Sequence, residues 1–317
     1  MRILIVHDEF NTIPTLDEED TIEQVRLITQ SLTTRGHKVL TLPFTLNLIE
    51  MEKQIKSYSP NAIFNLVETL HGSSLLHIPP SLFELLAIPF TGGPSRPMML
   101  SSNKIWAKEE MLKAKLPTPR WIEQNKKTHI SEFIGIPLII KPICEEASVG
   151  ISDESVQVFH STVLLEEALS SNTLFAEEYI HGREFNVSAL FIEGTTVVLP
   201  PAEMLFIDYP VNKPTIVDYD AKWKEDSFAY KHTTRTFALK EEDRVLAEEL
   251  TSLTHSVFTL FGNKGYMRVD FRVDSLNKPY ILEVNLNPCL NIDSGFVAAA
   301  KEAGINYDDL IEIIIKG

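Results

Sequence analysis

Short apolar runs alternate with helix-spaced apolar positions over the first third of the chain. Residues 3–6 read Ile-Leu-Ile-Val, a buried strand, and Ile22, Val25, Ile28 and Leu32 then recur at helical spacing over 21–34 until Gly36 ends the helix. A second strand at 39–42, a weaker helix at 46–57 and a third strand at 62–67 continue the alternation. This order predicts a parallel sheet with right-handed crossovers, with ligand sites beyond the carboxyl ends of its strands. His7, Asp8, Glu9, Glu68, His71 and Gly72 fall there. Residues 1–95 are thus expected to form a small open α/β domain, bounded by the Gly- and Pro-rich segment 89–97.

Beyond that segment the texture changes. A helix at 103–114 is followed by Pro117 and Pro119, and then by strands at 138–141, 156–159, 174–179, 184–191 and 196–199, with a helix at 164–170 among them. From 200 to 236, Pro, Lys and aromatic residues show no period, which predicts a long functional loop. Leu246, Leu250, Leu253, Val257 and Leu260 mark a strong helix, and strands at 265–274 and 279–285 form a hairpin through the turn at 274–278. No internal repeat is visible. The expected fold class is α/β followed by α+β.

Composition narrows the function. With 317 residues and 44% apolar positions the chain can bury a full core, so Cys144 and Cys289 read as ordinary thiols rather than a disulfide framework or metal box. Lys and Arg total 29 against 44 Asp and Glu, a net charge of −15. Such a field repels phosphate backbones and anionic lipid, so neither nucleic acid nor membrane is an expected partner. An anionic ligand would need locally placed lysines or a metal ion. The N-terminal apolar run stops at His7, short of the roughly 7–15 residues of a secretory core, and no run approaches the ~20 apolar residues of a membrane helix. A cytoplasmic protein is expected.

Three clusters carry chemistry. In the last two strands Arg268, Asp270 and Arg272 share one face, because strand side chains alternate, and so do Glu283 and Asn285. Two carboxylates and an amide oxygen on adjacent strands make a hard-oxygen site suited to Mg²⁺ that also binds phosphate. The competing reading is a solvated face with cross-strand Arg–Glu pairs. Second, a buried strand delivers Lys141, and a loop containing Ser148 and Gly150 follows, able to offer backbone N–H groups to a polyphosphate. It has neither the Walker A pattern nor Gly-x-Gly-x-x-Gly. Third, Glu177, Glu178, Tyr179 and Ile180 end a strand, Gly182 turns the chain and Glu184 begins the next. Backbone at such a turn can read a purine while a carboxylate takes ribose hydroxyls; the plainer reading is a hairpin turn.

In that order, with Lys104 upstream, these clusters resemble the ATP-grasp superfamily, and within it the D-alanine–D-alanine ligase family. His71-Gly72, Lys141-Pro142, Ser148-Val149-Gly150, Gly182-x-Glu184-Phe185, Asp218 to Lys222, Arg268-Val269-Asp270 and Glu283-Val284-Asn285-x-x-Pro288 carry the likeness across nearly the whole chain. The resemblance implies an ATP-grasp fold preceded by the N-terminal α/β substrate domain (1–95), with a central lobe at 96–180 and a C-terminal lobe at 181–317. It implies ATP and two Mg²⁺ ions, with Mn²⁺ as an alternative, and small amino-acid or carboxylate substrates. Lys104 and Lys141 would hold the α/β-phosphates, the Ser148 loop would cover the triphosphate, and Lys222 would reach the γ-phosphate. Glu177, Tyr179 and the backbone of Glu178 and Ile180 would frame adenine, with Glu184 on the ribose. Asp270, Glu283 and Asn285 would bind metal. Arg268 and the Cys289 N–H would stabilise the oxyanion, Ser294 would hold the second substrate's carboxylate, and Glu19 and His71 would serve the first substrate. A homodimer through the N-terminal domain and a place in peptidoglycan, hence cell-wall, synthesis complete the expectation.

The departures from the family lie on the acyl-substrate side. The strand after Val6 runs into His7-Asp8-Glu9 instead of a Gly-Gly start, the run after Gly72 is not acidic, Ala147 replaces a serine and Trp223 a tyrosine. A ligase for another amino acid or metabolite, or a non-catalytic ATP-binding regulator on the same fold, therefore stand as alternatives.

Overall fold

The computed structural model describes residues 1–124, 127–262 and 264–317. The N-terminal unit contains β1 (Arg2–His7), α1 (Leu16–Thr34), β2 (Lys38–Pro43), α2 (Leu48–Tyr58) and β3 (Ala62–Leu66). Its sheet has the order β2-β1-β3, all parallel, as the alternation predicts. β1 and β3 are buried on both faces, the usual state of parallel strands, whereas β2 is a half-exposed edge. α1 starts earlier than the apolar period indicates, because Thr15 and Glu18 form a capping box that extends the helix back through an acidic first turn. The segment read as a boundary also belongs to this sheet, since Phe90 bridges Ile63 in parallel.

Helices α3 (Ile78–Leu85), α4 (Ser95–Ser101) and α5 (Lys104–Lys113) lead to a second sheet made of β4 (Trp121–Glu123), β5 (Pro137–Pro142), β6 (Val156–Val158) and β7 (Leu174–Glu178), with α6 (Thr162–Ala168) packed beside it. Its order is β4-β7-β5-β6, antiparallel throughout. This lobe closes over its own small core of Ile122, Phe133, Leu138, Phe159 and Leu165.

The third sheet contains β8 (Gly182–Ile192), β9 (Thr195–Val198), β10 (Ala202–Phe206), β11 (Thr233–Thr236), β12 (Tyr266–Asp274) and β13 (Pro279–Asn285). It runs β11-β10-β8-β12-β13, with β9 paired to β8. The region 200–236 is therefore not the featureless loop its composition suggests. β10 and β11 extend the sheet from both ends of that region, and the short helices α7 (Tyr219–Trp223) and α8 (Phe228–His232), each capped by its preceding Asp218 or Ser227, lie between. Neither strand is long enough to show a period of its own. α9 (Arg244–Leu260) covers one face, and α10 (Gly295–Glu302) and α11 (Tyr307–Lys316), which the sequence reading left unassigned, cover the other side against β1, β3 and α1.

The N-terminal unit and the third sheet share their cores: Leu4, Val6 and Ile63 pack into one cluster with Val187, Val269 and Val284, and Ile3, Ile5 and Phe64 into another with Tyr266 and Phe296. Asn287 bolts the two together, accepting from Tyr266 Oη at 2.8 Å and donating to the Val67 carbonyl at 3.3 Å. The carboxyl ends of β1 and β3 thus meet the end of β13.

The turn from the second sheet to the third is tight. A methyl group on Gly182 would lie 2.0 Å from the Val273 carbonyl oxygen, in the heart of the β8–β12 ladder. Gly182→Ala is expected to destabilise the protein by on the order of 1–3 kcal/mol, read as a lower denaturation midpoint.

Candidate active site

The cavity that matters lies between the three units and has a volume of about 990 Å³. Its floor is the β12–β13 hairpin. Arg268 pairs with Asn285 and Asp270 with Glu283 across the strands, so the four side chains expected to share a face do so. A bulge produces this. Phe271 pairs with Ile281, leaving Leu282 as the extra residue, so Ile281 enters the core while Glu283, two positions on, faces the cavity. Arg268 grips Asp270 with both a 2.7 Å and a 2.9 Å bond, and Asn186 adds a third at 2.8 Å. The Asn285 amide oxygen accepts the Asn287 N–H at 2.8 Å.

Glu283 meets a residue the sequence reading did not single out. Glu146, in the loop after β5, is hydrogen-bonded to it. Burial opposes charge on Glu283, but Lys104, the Glu146 proton, Lys222 and Arg268 hold its carboxyl down at about 2. On Glu146, burial and the Glu283 charge push the pKa well above the usual range, so the shared proton resides there. Among the described residues no three His, Cys, Asp or Glu side chains converge as a self-sufficient metal centre. The donors are Asp270, Glu283 and the Asn285 amide, a set that fits Mg²⁺, which takes its remaining ligands from water and phosphate.

The wall opposite is cationic. Lys104 is buried, with Nζ 2.5 Å from the Glu145 carbonyl and 3.7 Å from Glu283; burial works against its charge, yet Glu283 and Glu146 raise its pKa. Lys141 Nζ lies 2.5 Å from Glu177, whose other oxygen is 2.6 Å from Lys108. Lys108, fully buried and also donating to Thr118 at 2.8 Å, was not expected; its signal was the four-residue spacing from Lys104 on one helix face. Glu177 is therefore held as a counter-ion between two lysines, with its pKa lowered against the pull of burial. Glu178 pairs with Arg120. The Ile180 carbonyl accepts Arg272 Nε at 3.0 Å, and the Tyr179 ring lies 5.4 Å from the same guanidinium. Arg272 also reaches Glu184 at 3.1 Å and the Thr215 carbonyl at 2.8 Å.

The strap between β10 and β11 lies over this wall. Ser148 donates to the Val217 carbonyl at 2.8 Å, and the Trp223 indole donates to the Ala147 carbonyl at 3.1 Å. Two departures from the family pattern, Ala147 and Trp223, thus touch each other. Ala147 and Ser148 both have left-handed backbone (φ 55° and 60°), a strained pair that these two bonds hold. Lys222 lines the cavity; burial, then Arg268, lowers its pKa, and among the described residues it forms no ion pair.

The acyl-substrate end is acidic. Glu19 stands exposed at the rim, while its neighbour Asp20 reaches inward to accept Asn291 Nδ2 at 2.6 Å and the Cys289 thiol at 3.1 Å. Asp8, at the end of β1, accepts the N–H groups of Glu68 (3.3 Å) and Thr69 (3.2 Å). Cys289 and Ser294 line the same end, Ser294 capping α10 through the Val297 N–H at 3.3 Å. His71 is the exception: it does not line the cavity. The adjacent Gly72, which packs where a Cβ would be 2.5 Å from the Cys144 carbonyl, takes up the wall position, and His71 is left exposed with φ 50°.

Three comparisons bear on this geometry. The family described as "D-ala D-ala ligase C-terminus" matches residues 112–316. A D-alanine–D-alanine ligase of Coprothermobacter proteolyticus is 27% identical over 95% of both chains, and an uncharacterised protein, y4sG, of Sinorhizobium fredii is 28% identical over 88% of this chain and 82% of its own length. Among solved structures, the D-alanine–D-alanine ligase of Bacillus anthracis complexed with ATP superposes with a TM-score of 0.73 at 19% identity, covering 100% of this chain and 96% of the other.

Burial raises Asp8 to about 7, and burial together with Asp8 and Asp20 raises Glu68 to about 8. Both folded pKa values exceed the unfolded ones, so their contribution to stability is complete below about pH 4 and is lost as pH rises through 7 to 8. Ligand-free protein should therefore melt lower at pH 8.5 than at pH 5.5, and Asp8→Asn should flatten that slope in calorimetry.

Proposed function

Because the chain belongs to the D-alanine–D-alanine ligase family, we propose that it joins the carboxylate of one amino acid to the amine of another through an acyl phosphate, with D-alanine the first candidate for both. The family makes it an ATP-dependent ligase that forms a carbon–nitrogen bond. The observation that carries the reading is the convergence of Arg268, Asp270, Glu283 and Asn285 with Lys104, Lys141 and Lys222 on one cavity. A protein that only bound ATP would have no use for Arg268 beside an acceptor site.

ATP supplies the phosphoryl group that makes a poor electrophile reactive, and two Mg²⁺ ions (or Mn²⁺) neutralise phosphate charge when bound at Asp270, Glu283 and Asn285. Lys104 and Lys141 hold the α/β-phosphates, with Glu177 fixing Lys141 from behind. Ser148 and its loop cover the triphosphate, and Lys222, which forms no ion pair among the described residues, serves the γ-phosphate. The Ile180 N–H, the Glu178 backbone and the Tyr179 ring frame adenine, and Glu184 takes the ribose. Arg268 and the Cys289 N–H face the oxyanion as the amine attacks, where fixed donors act with most effect. The strap, latched by Ser148 and Trp223, excludes water that would hydrolyse the acyl phosphate. At the acyl end Asp20, supported by Glu19, receives the first substrate's ammonium.

The altered contacts at Ala147, Trp223 and Asp8 favour a second reading, in which the same chemistry acts on another amino acid or metabolite. No helix among the described residues is long and apolar enough to cross a membrane. A cytoplasmic role in peptidoglycan synthesis and a homodimer through the N-terminal unit, whose surface exposes Ile13, Ile49 and Leu85, belong to the proposal.

The decisive measurement is phosphate release from ATP and Mg²⁺ with single D- and L-amino acids, products identified by mass. Turnover with D-alanine giving the dipeptide is the expected outcome, turnover with another amino acid replaces the substrate, and ATP binding without turnover on any of them points to the regulator. Asp270→Asn should lower turnover by at least about a hundredfold, the size typical of losing an electrostatic catalytic contact. A variant with wild-type turnover would remove Asp270 from the metal site.

A further inference from the structure

The chemistry of the cavity leaves Lys108 without a task. Its side chain is 1% exposed and does not line the cavity, yet it stands directly behind two groups that do. Glu177 lies between it and Lys141: one carboxylate oxygen is 2.5 Å from Lys141 Nζ and the other 2.6 Å from Lys108 Nζ. Lys141, 10% exposed, is the member of the three most open to the cavity. The strand register brings Lys141 and Glu177 together as diagonal neighbours on one face, since Ile139 pairs with Glu177 and Lys141 with Phe175. Lys108 arrives from α5, one turn after Lys104, whose own side chain does enter the cavity. Lys108 Nζ also donates to the Thr118 hydroxyl at 2.8 Å and lies 5.7 Å from the centre of the Trp121 ring. Thr118 donates in turn to the Ile281 carbonyl at 2.9 Å, and the Ile281 N–H donates to the Pro117 carbonyl at 2.9 Å. Ile281 is two residues before Glu283, so the strand that carries the metal carboxylate also fixes where Lys108 stands.

Two lysines share one carboxylate, which leaves the cluster with one positive charge to spare. Among the described residues neither lysine has a second carboxylate within ion-pair distance. Against the pull of burial, Lys108 first and then Lys141 lower the pKa of Glu177; burial also works against the charge of Lys108, and Glu177 opposes it. A Glu177–Lys141 pair on its own would be neutral, and the carboxylate would compete with any phosphate for the same ammonium at short range in a low dielectric. We propose that Lys108 is a positioning residue for the nucleotide: it takes up the Glu177 charge from behind, so that Lys141 stays fixed and keeps its own charge for the phosphates of ATP. The inference rests on the ligase reading for its ligand and adds to it a residue that touches neither ATP nor substrate. A carboxylate alone anchors a lysine and cancels it. A second lysine behind the carboxylate restores the charge without loosening the anchor.

The test is the dissociation constant of ADP in the presence of Mg²⁺, measured by calorimetry with melting temperatures alongside. It compares wild type with Lys108→Gln, Lys108→Met and the double variant Lys108→Met/Glu177→Gln. Glutamine at 108 can still donate to Glu177 and Thr118, which guards the fold while removing the charge. Both single variants should bind ADP about tenfold more weakly, the size of one charge-assisted bond given up to an internal competitor. The double variant should recover most of that loss, because a neutral side chain at 177 no longer draws on Lys141. A residue that merely supported the fold would give the opposite result, since removing a second native contact would deepen the loss. Single variants that bind ADP as tightly as wild type, or a double variant that binds no tighter than the single ones, overturn the inference and leave the ligase reading standing. A wild-type protein that binds neither ATP nor ADP overturns the ligase reading, and this inference with it.

Discussion

The guanidinium of Arg272 holds the working parts in one place. Only 3% of it is exposed, and it bonds the Ile180 carbonyl at the exit of the second sheet, Glu184 at the entry of the third, and the Thr215 carbonyl in the strap. Burying such a charge is costly unless all its donors are used, and here the partners come from the segments whose relative placement defines the cavity. The base beneath is stiff for a different reason. The N-terminal unit and the third sheet share two apolar cores, whereas the second sheet has a core of its own. Arg272 thus provides a polar joint between that lobe and the base.

The cavity repeats one device, a cation fixed by a carboxylate that is itself fixed. Lys108 and Lys141 bracket Glu177, Lys104 approaches Glu283 while Glu146 holds a proton against it, and Arg268 is locked on Asp270. Groups oriented in advance need not reorganise when charge builds up, which is where electrostatic catalysis gains its advantage. The chain's large negative charge is compatible with anionic phosphates because the lysines are gathered where the phosphates would lie.

Much of this was legible in sequence because it is local. Alternation put Arg268 and Asp270 on one face, and Glu283 and Asn285 on theirs; strand–helix order gave the parallel sheet; Asp274 and Asn277 marked the hairpin turn. What escaped notice depends on pairs distant in the chain. Lys108 is an ordinary helix lysine until Glu177, from the second sheet, is beside it, and Asp20 is one of a run of acids until Asn291 reaches it. The strands β10 and β11 lay in a stretch without period, where short strands are stabilised only by their neighbours in the sheet. His71 erred the other way: a dipeptide match located the turn correctly, but Gly72's close packing settled which residue faces inward.

The extra residue at Leu282 has a further meaning. In a regular strand every second side chain looks the same way, so position parity alone decides which residues are chemical and which are structural. The bulge shifts that parity once, between Ile281 and Glu283. On β13 the core positions are Pro279 and Ile281 before it and Val284 after it, which frees Glu283 and Asn285 for the cavity beside Asp270 and Arg268. Were all seven residues of β13 paired in plain alternation, Glu283 and Asn285 would turn toward the core and Val284 would come up in their place, so the offset at Leu282, and not its identity, decides which residues reach the cavity.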